Sequence, residues 1–200
     1  MLFWQAATLL NPHFAVGTKD QEGSRIFYEP LAAWDPEGNL VPVLAAEIPD
    51  LENGGLAPDG MSVTWKLRKD VSWHDGRPFT ADDVVFNWEY AADPATAATT
   101  IGSYQDLKVE KIDPLTVRVL FAKPTPNWAD AFVGQRGMVI PKAPLRTLQG
   151  RQFARRAGQP QTGWHRPLSV RRFQARRPGQ GRAQSRLLPA EPAAISTRSR

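Results

Sequence analysis

A chain of 200 residues with 42% hydrophobic content can fill one domain core; it carries 25 Lys+Arg against 20 Asp+Glu and no cysteine. The missing thiols exclude disulfides and thiolate metal sites, and no apolar run approaches the ~20 residues of a membrane-spanning helix. The net charge of +5 is unevenly placed: residues 1–142 hold 12 Lys+Arg against 19 Asp+Glu, net −7, whereas 143–200 hold 13 Arg, no Lys and the single acid Glu191, net +12.

In chain order, Leu2 to Ala6 reads as a short strand and Leu9 to Lys19 as a loop punctuated by Asn11-Pro12 and Gly17. A helix is predicted from near Asp20 to Tyr28, weakened by Gly23. Asp35-Pro36-Glu37-Gly38 reads as a turn between two short strands. Asn53-Gly54-Gly55 and Pro58-Asp59-Gly60 mark a loop before the next strand, Met61 to Arg68, where Val63, Trp65 and Leu67 alternate with Thr64, Lys66 and Arg68 as a half-buried strand requires. After the turn His74-Asp75-Gly76 the period changes. Thr80 can cap a helix whose first turn carries Asp82 and Asp83, where carboxylates meet the positive end of the helix dipole, with Val84, Val85 and Trp88 on one face. Asp113-Pro114 turns a hairpin whose second arm places Val117, Val119 and Phe121 together. Thr125 to Val133 reads as a short helix with Trp128 and Phe132 one turn apart.

The block TWKLRKDVSWHDGRPFTADDVVFNWEY resembles the extracellular solute-binding proteins of ABC importers, in the oligopeptide and dipeptide family, family 5. The pattern is a strand, then W-x-D-G, then x-P-F-T-A-D-D-V-V-F leading into a helix. The resemblance extends upstream through WQAATLLNPHFAVGTKD and EPLAAWDPEGNLVPVLAAEIP, and downstream through DLKVEKIDPLTVRVLFAKPTPNW, covering about Leu2 to Lys142. It implies an α/β, partial periplasmic-binding-protein-like fold of type II: the N-terminal part of two lobes that close over a ligand and dock on a membrane permease. Residues 1–60 would be part of lobe I, 61–142 a subdomain of that lobe, and 143–200 a tail. It further implies a monomer at the periplasmic or extracellular face of the membrane, binding a peptide or other small molecule, with ABC permease subunits as partners and neither cofactor nor specific nucleic acid. Family members run to more than twice this length, and Met1-Leu2-Phe3-Trp4 lacks the features of a signal peptide, so the N-terminus reads as missing and the chain as binding ligand weakly or not at all.

The best binding candidate is the loop from Asn11 to Asp20, since loops at strand ends beside a cleft carry ligand contacts in α/β proteins. Matched to the cleft loop of the family, its residues are Asn11, His13, Gly17, Thr18 and Asp20. Gly17 can admit close backbone approach, and Thr18 and Asp20 can bond polar groups. The competing account makes Asn11-Pro12 a turn and Asp20 a helix cap. His74 and Asp75 read as a turn rather than as metal ligands or an acid–base pair, because His13 and His165 lie far away and no Cys is available. Trp65, Trp73, Trp88 and Trp128 read as core rather than as a stacking platform. Neither a catalytic nucleophile motif nor a metal motif is present, and Asp82-Asp83 diverge by about 100° on a helix, so no enzymatic role is supported.

In 143–200, arginine pairs recur among Gln, Pro, Gly and Ala without period, a composition that cannot offset its ordering entropy and reads as a disordered basic arm. Such an arm can bind nucleic acid through counterion release, which is the alternative function. A third reading fits the Arg-without-Lys bias better. Displaced by one base, permitted codons spell a string containing K-P-V-G-T-G-P-Y, which resembles the continuation of the family, so the tail reads as out of frame after Lys142.

Overall fold

The alternation around Trp65 becomes strand β3, Ser62–Lys66, with Val63 and Trp65 buried and Thr64 and Lys66 turned away from the core. It is an edge of a three-stranded antiparallel sheet of order β3-β5-β4, where β4 is Leu107–Asp113 and β5 is Thr116–Phe121. The register places Trp65 opposite Val117 and aligns Val63, Val119 and Val109 across the three strands, so the apolar face of each arm meets that of the next. A smaller antiparallel pair, β1 (Ala32–Trp34) and β2 (Leu40–Pro42), flanks the turn expected at 35–38. There the Asp35 carboxylate accepts the Asn39 backbone N–H at 2.7 Å, and Gly38 adopts φ +86°, a conformation costly for residues with a Cβ.

The computed structural model describes residues 6–142, all within one compact unit, Met1–Pro167; a second unit, Leu168–Arg200, lies outside the described residues. The strand expected at Leu2–Ala6 and the tail 143–200 likewise fall outside them, apart from Ala6, which is not in a strand. One apolar core draws on both sides of residue 60: Leu31, Ala32 and Leu44 join Trp65, Val117, Val119 and Phe132.

Helix α2, Ala81–Ala92, starts where the sequence places it. Thr80 and Asp83 form a capping box, in which the Asp83 carboxylate takes the Thr80 backbone N–H at 3.0 Å. The same carboxylate accepts Trp73 Nε1–H at 3.2 Å and the Lys142 backbone N–H at 2.9 Å, so one aspartate joins the turn, the helix start and the end of the described chain. Its neighbour Asp82 points outward to Lys111, 2.7 Å away. Val84 is buried, and Val85 and Trp88 pack half-buried on the core as expected, with Trp88 Nε1–H donating to the Leu107 carbonyl at 3.0 Å. A second buried face, Phe86, Asn87 and Tyr90, was not evident in the pattern; Phe86 and Tyr90 meet Ile140 there.

The turn at His74-Asp75-Gly76 closes as read, with Gly76 at φ +88° and its N–H donating to the Trp73 carbonyl at 2.9 Å. Asp75 receives the Arg77 guanidinium and backbone N–H, while His74 lies exposed. Trp65 is fully buried with its ring centroid 5.8 Å from that of Trp128, and Trp73 meets Phe79 edge-on at the same distance.

Two predicted elements differ. Helix α1 is Thr18–Ser24, capped by Gly17, so it begins and ends earlier than expected. Thr125–Val133 forms turns instead of a helix. Pro124 and Pro126 supply no N–H, and Phe132 takes φ +63°, a left-handed conformation that breaks any helical run. Burial holds Phe132 there: its side chain is fully enclosed and packs edge-on to Tyr104 with ring centroids 5.2 Å apart.

Candidate ligand-binding site

The loop before α1 is built around a buried histidine. Asn11 caps the 3₁₀ turn Pro12–Phe14 by accepting the His13 N–H at 3.0 Å, and its Nδ2 donates to the Tyr90 hydroxyl at 3.0 Å. The His13 ring is fully enclosed, with Nε2 2.8 Å from Asn87 Oδ1 and Nδ1 2.7 Å from Thr100 Oγ1. The Ile140 N–H also donates to Asn87 Oδ1, at 3.0 Å, so that atom is the amide oxygen and His13 donates from Nε2. Nδ1 then accepts the Thr100 hydroxyl. Burial pushes the His13 imidazole down to about 4, against a smaller upward effect of the Asn87 bond, so it is neutral at pH 7. On the backbone side, Thr99 donates its N–H and hydroxyl to the His13 carbonyl at 2.8 and 2.9 Å.

Asp20 also faces inward, although it is not the helix cap. Its carboxylate accepts the Thr8 N–H at 2.7 Å and the Thr8 hydroxyl at 3.0 Å, tying the incoming chain to α1. Burial alone would raise its pKa, but the bonds from Thr8 and Leu9 and the nearby Lys19 ammonium outweigh it and hold the carboxyl below its ordinary value. Gly17 and Thr18 are exposed. An added Cβ at Gly17 would meet nothing within 4 Å, and its φ of −96° is open to any residue, so neither space nor backbone demands glycine there. The five residues singled out by sequence therefore divide into an inward set, Asn11, His13 and Asp20, and an exposed pair.

Beside this loop lies a cleft of about 180 Å³. It is lined by Pro12, Ala15 and Val16 of the loop, Gln21 of α1, Thr99 and Thr100, and Gln135 and Arg136 on the 3₁₀ turn Gly134–Gly137. Gln135 Nε2–H donates to Glu22 at 2.9 Å, linking that turn to α1. Sequence reading missed Thr99, Thr100, Gln135 and Arg136; the only local hint was the Gly-Gln-Arg-Gly spacing, a turn signal. A second, broader groove of about 1070 Å³ involves Trp34, Leu40, Ile48, Phe121 and Trp128. Among the described residues no group of three or more His, Asp or Glu could hold a metal ion.

The pattern of the strand, turn and helix at residues 62–92 has counterparts in known proteins. The family model "Bacterial extracellular solute-binding proteins, family 5 Middle" matches residues 39–165. The chain belongs to this family. The match starts later than the resemblance quoted above and ends 23 residues beyond Lys142. Among curated family relatives, the periplasmic oligopeptide-binding protein OppA of Escherichia coli K12 is 29% identical over 154 residues, covering 68% of this chain and 27% of that protein. The glutathione-binding protein GsiB of Shigella boydii is 32% identical over 139 residues, 69% of this chain and 26% of that protein. The chain thus spans about a quarter of the length of these relatives. Haemophilus influenzae OppA, solved in complex with the peptide RPPGFSPFR, superposes with a TM-score of 0.62 at 28% identity, covering 72% of this chain and 30% of that one. Campylobacter jejuni NikZ in complex with Ni(L-His) gives 0.59 at 28% identity over 72% and 27%. The fold is accordingly that of the type II periplasmic binding proteins, in part.

Proposed function

We propose that this chain supplies one lobe's wall of the ligand site in an ABC-importer solute-binding protein, which captures peptides or similar small solutes and delivers them to membrane permease subunits. It works as a monomer at the periplasmic or extracellular face. The relatives that bind oligopeptides and glutathione support the solute class. The observation that carries the reading is the cleft beside the loop of Asn11–Asp20, where two segments about 120 residues apart, Ala15-Val16 and Gln135-Arg136, face one small volume. At about 180 Å³ it falls below the ~300–1,000 Å³ of a complete small-molecule pocket, as expected for one wall of a site between two lobes. In this account Asn11, His13 and Asp20 hold the loop, and Gly17 and Thr18 stand on its exposed rim.

An NMR titration of the labelled chain with RPPGFSPFR tests the assignment. Shifts confined to Pro12–Val16, Thr99–Thr100 and Gln135–Arg136 are expected, with weak affinity; shifts centred on Trp34 and Trp128, or tight binding in calorimetry, would contradict it.

For 143–200 we propose a displaced reading frame, on the excess of Arg without Lys. The family match reaching residue 165 weighs against a break directly after Lys142. Sequencing the DNA across the codons for Ile140 to Arg146, read in three frames, decides between them.

A further inference from the structure

Among the described residues, Arg136 is the only charged one in the wall of the cleft. Three of the five described arginines, Arg25, Arg68 and Arg77, have carboxylate partners, at Glu22, Asp70 and Asp75. Arg136 is exposed, and its guanidinium has no ion pair or hydrogen bond among the described residues. What is fixed is its backbone. The Tyr104 hydroxyl donates to the Arg136 carbonyl and accepts the Phe132 N–H, both at 3.4 Å, and the turn is entered through Phe132 and Gly134 at φ +63° and +62°. Gly137 closes it so tightly that a Cβ there would lie 2.1 Å from the Phe132 carbonyl carbon. A bulky residue held at positive φ by its surroundings is a conformation maintained at a cost, and such conformations concentrate where a side chain must be presented to a ligand.

The same cleft is lined by Val16, 77% exposed, an aliphatic side chain the fold does not cover. The hydroxyls of Thr99 and Thr100 are engaged by His13, which leaves Arg136 as the charged donor facing the cleft.

Resting on the ligand-wall reading above, we propose that Arg136 is a specificity-determining residue that pairs with a carboxylate of the bound solute while Val16 contacts the aliphatic group beside it. The planar guanidinium suits a bidentate pair with a carboxylate and has no such match with a neutral amide.

The test uses the full chain, isotopically labelled, titrated with N-acetyl-L-alanine and with its uncharged amide, followed at the Arg136 Nε–H and the Val16 methyls. The carboxylate should bind about tenfold or more tightly than the amide, and Arg136→Gln should bring it down to the level of the amide. Arg136→Lys should restore part of the preference. If acid and amide bind equally, or the preference survives in Arg136→Gln, the role of Arg136 is overturned while the cleft remains a ligand wall. If neither compound moves these signals, the ligand wall itself is wrong.

Discussion

The turn and helix at 73–92 and the loop at 11–20 each depend on one buried polar side chain, yet the two differ in how far along the chain its partners lie. Asp83 takes the Thr80 N–H three residues away and the Trp73 indole ten away, and only its Lys142 contact is distant. His13 bonds Asn87 and Thr100, 74 and 87 residues on, and Asn11 reaches Tyr90 across 79. The first arrangement is local enough to leave a compact, recurring word in the sequence. The second consists of isolated polar residues whose meaning appears only when distant segments meet.

The largest expected effect comes from the local region. Asp83→Ala removes one acceptor from three donors and should lower unfolding free energy by about 3–4 kcal/mol, read by urea denaturation. A loss under about 1 kcal/mol would mean that the donors find water and that Asp83 is not the joint described.

Next is the pH response of the distant region. The folded chain holds His13 neutral down to about pH 4, whereas the unfolded imidazole titrates near 6.5, so between these values the unfolded state binds more protons. Stability fully present above 6.5 should therefore fall as the pH drops to 4, by about 3 kcal/mol, and then level off for this group. In His13→Gln the urea midpoint should be nearly flat across that window. A variant as acid-sensitive as the parent would assign the effect elsewhere.

Two glycines sharpen the contrast at smaller scale. Gly76 sits at φ +88° in the local turn, and Gly76→Ala should cost about 1–2 kcal/mol. Gly17, at φ −96° with open space at its Cβ, should accept alanine within about 0.5 kcal/mol, both variants being read by urea denaturation. Equal costs at the two positions would erase the distinction drawn here.

The same difference in range decides what could be read from sequence. Strand alternation at Val63 and Trp65, the Thr80–Asp83 cap, the Asp35 turn and the Asp113 hairpin all follow from neighbours within a few residues, and each appears where the pattern places it. The helix expected at 125–133 failed because apolar spacing at Trp128 and Phe132 was weighed above two prolines. The left-handed Phe132 is imposed by packing on Tyr104, 28 residues earlier, which no local pattern records. For the candidate site, the loop was found but the direction of its side chains was not. A histidine beside a proline turn looks the same whether it faces solvent or Asn87, and Arg136 gains its neighbours only from tertiary folding.

Helix α2 is covered on two sides, by the sheet below and by the His13 loop and Ile140 above. This arrangement sets an order on biosynthesis. The His13 loop leaves the ribosome before the segments that bond it, so its imidazole has no partner until residues 87 and 100 have been made, and Asn87 Oδ1 does not receive its second donor until Ile140 arrives. The loop is thus made before its partners yet is among the last parts that can lock, and through that interval its polar groups must be satisfied by water.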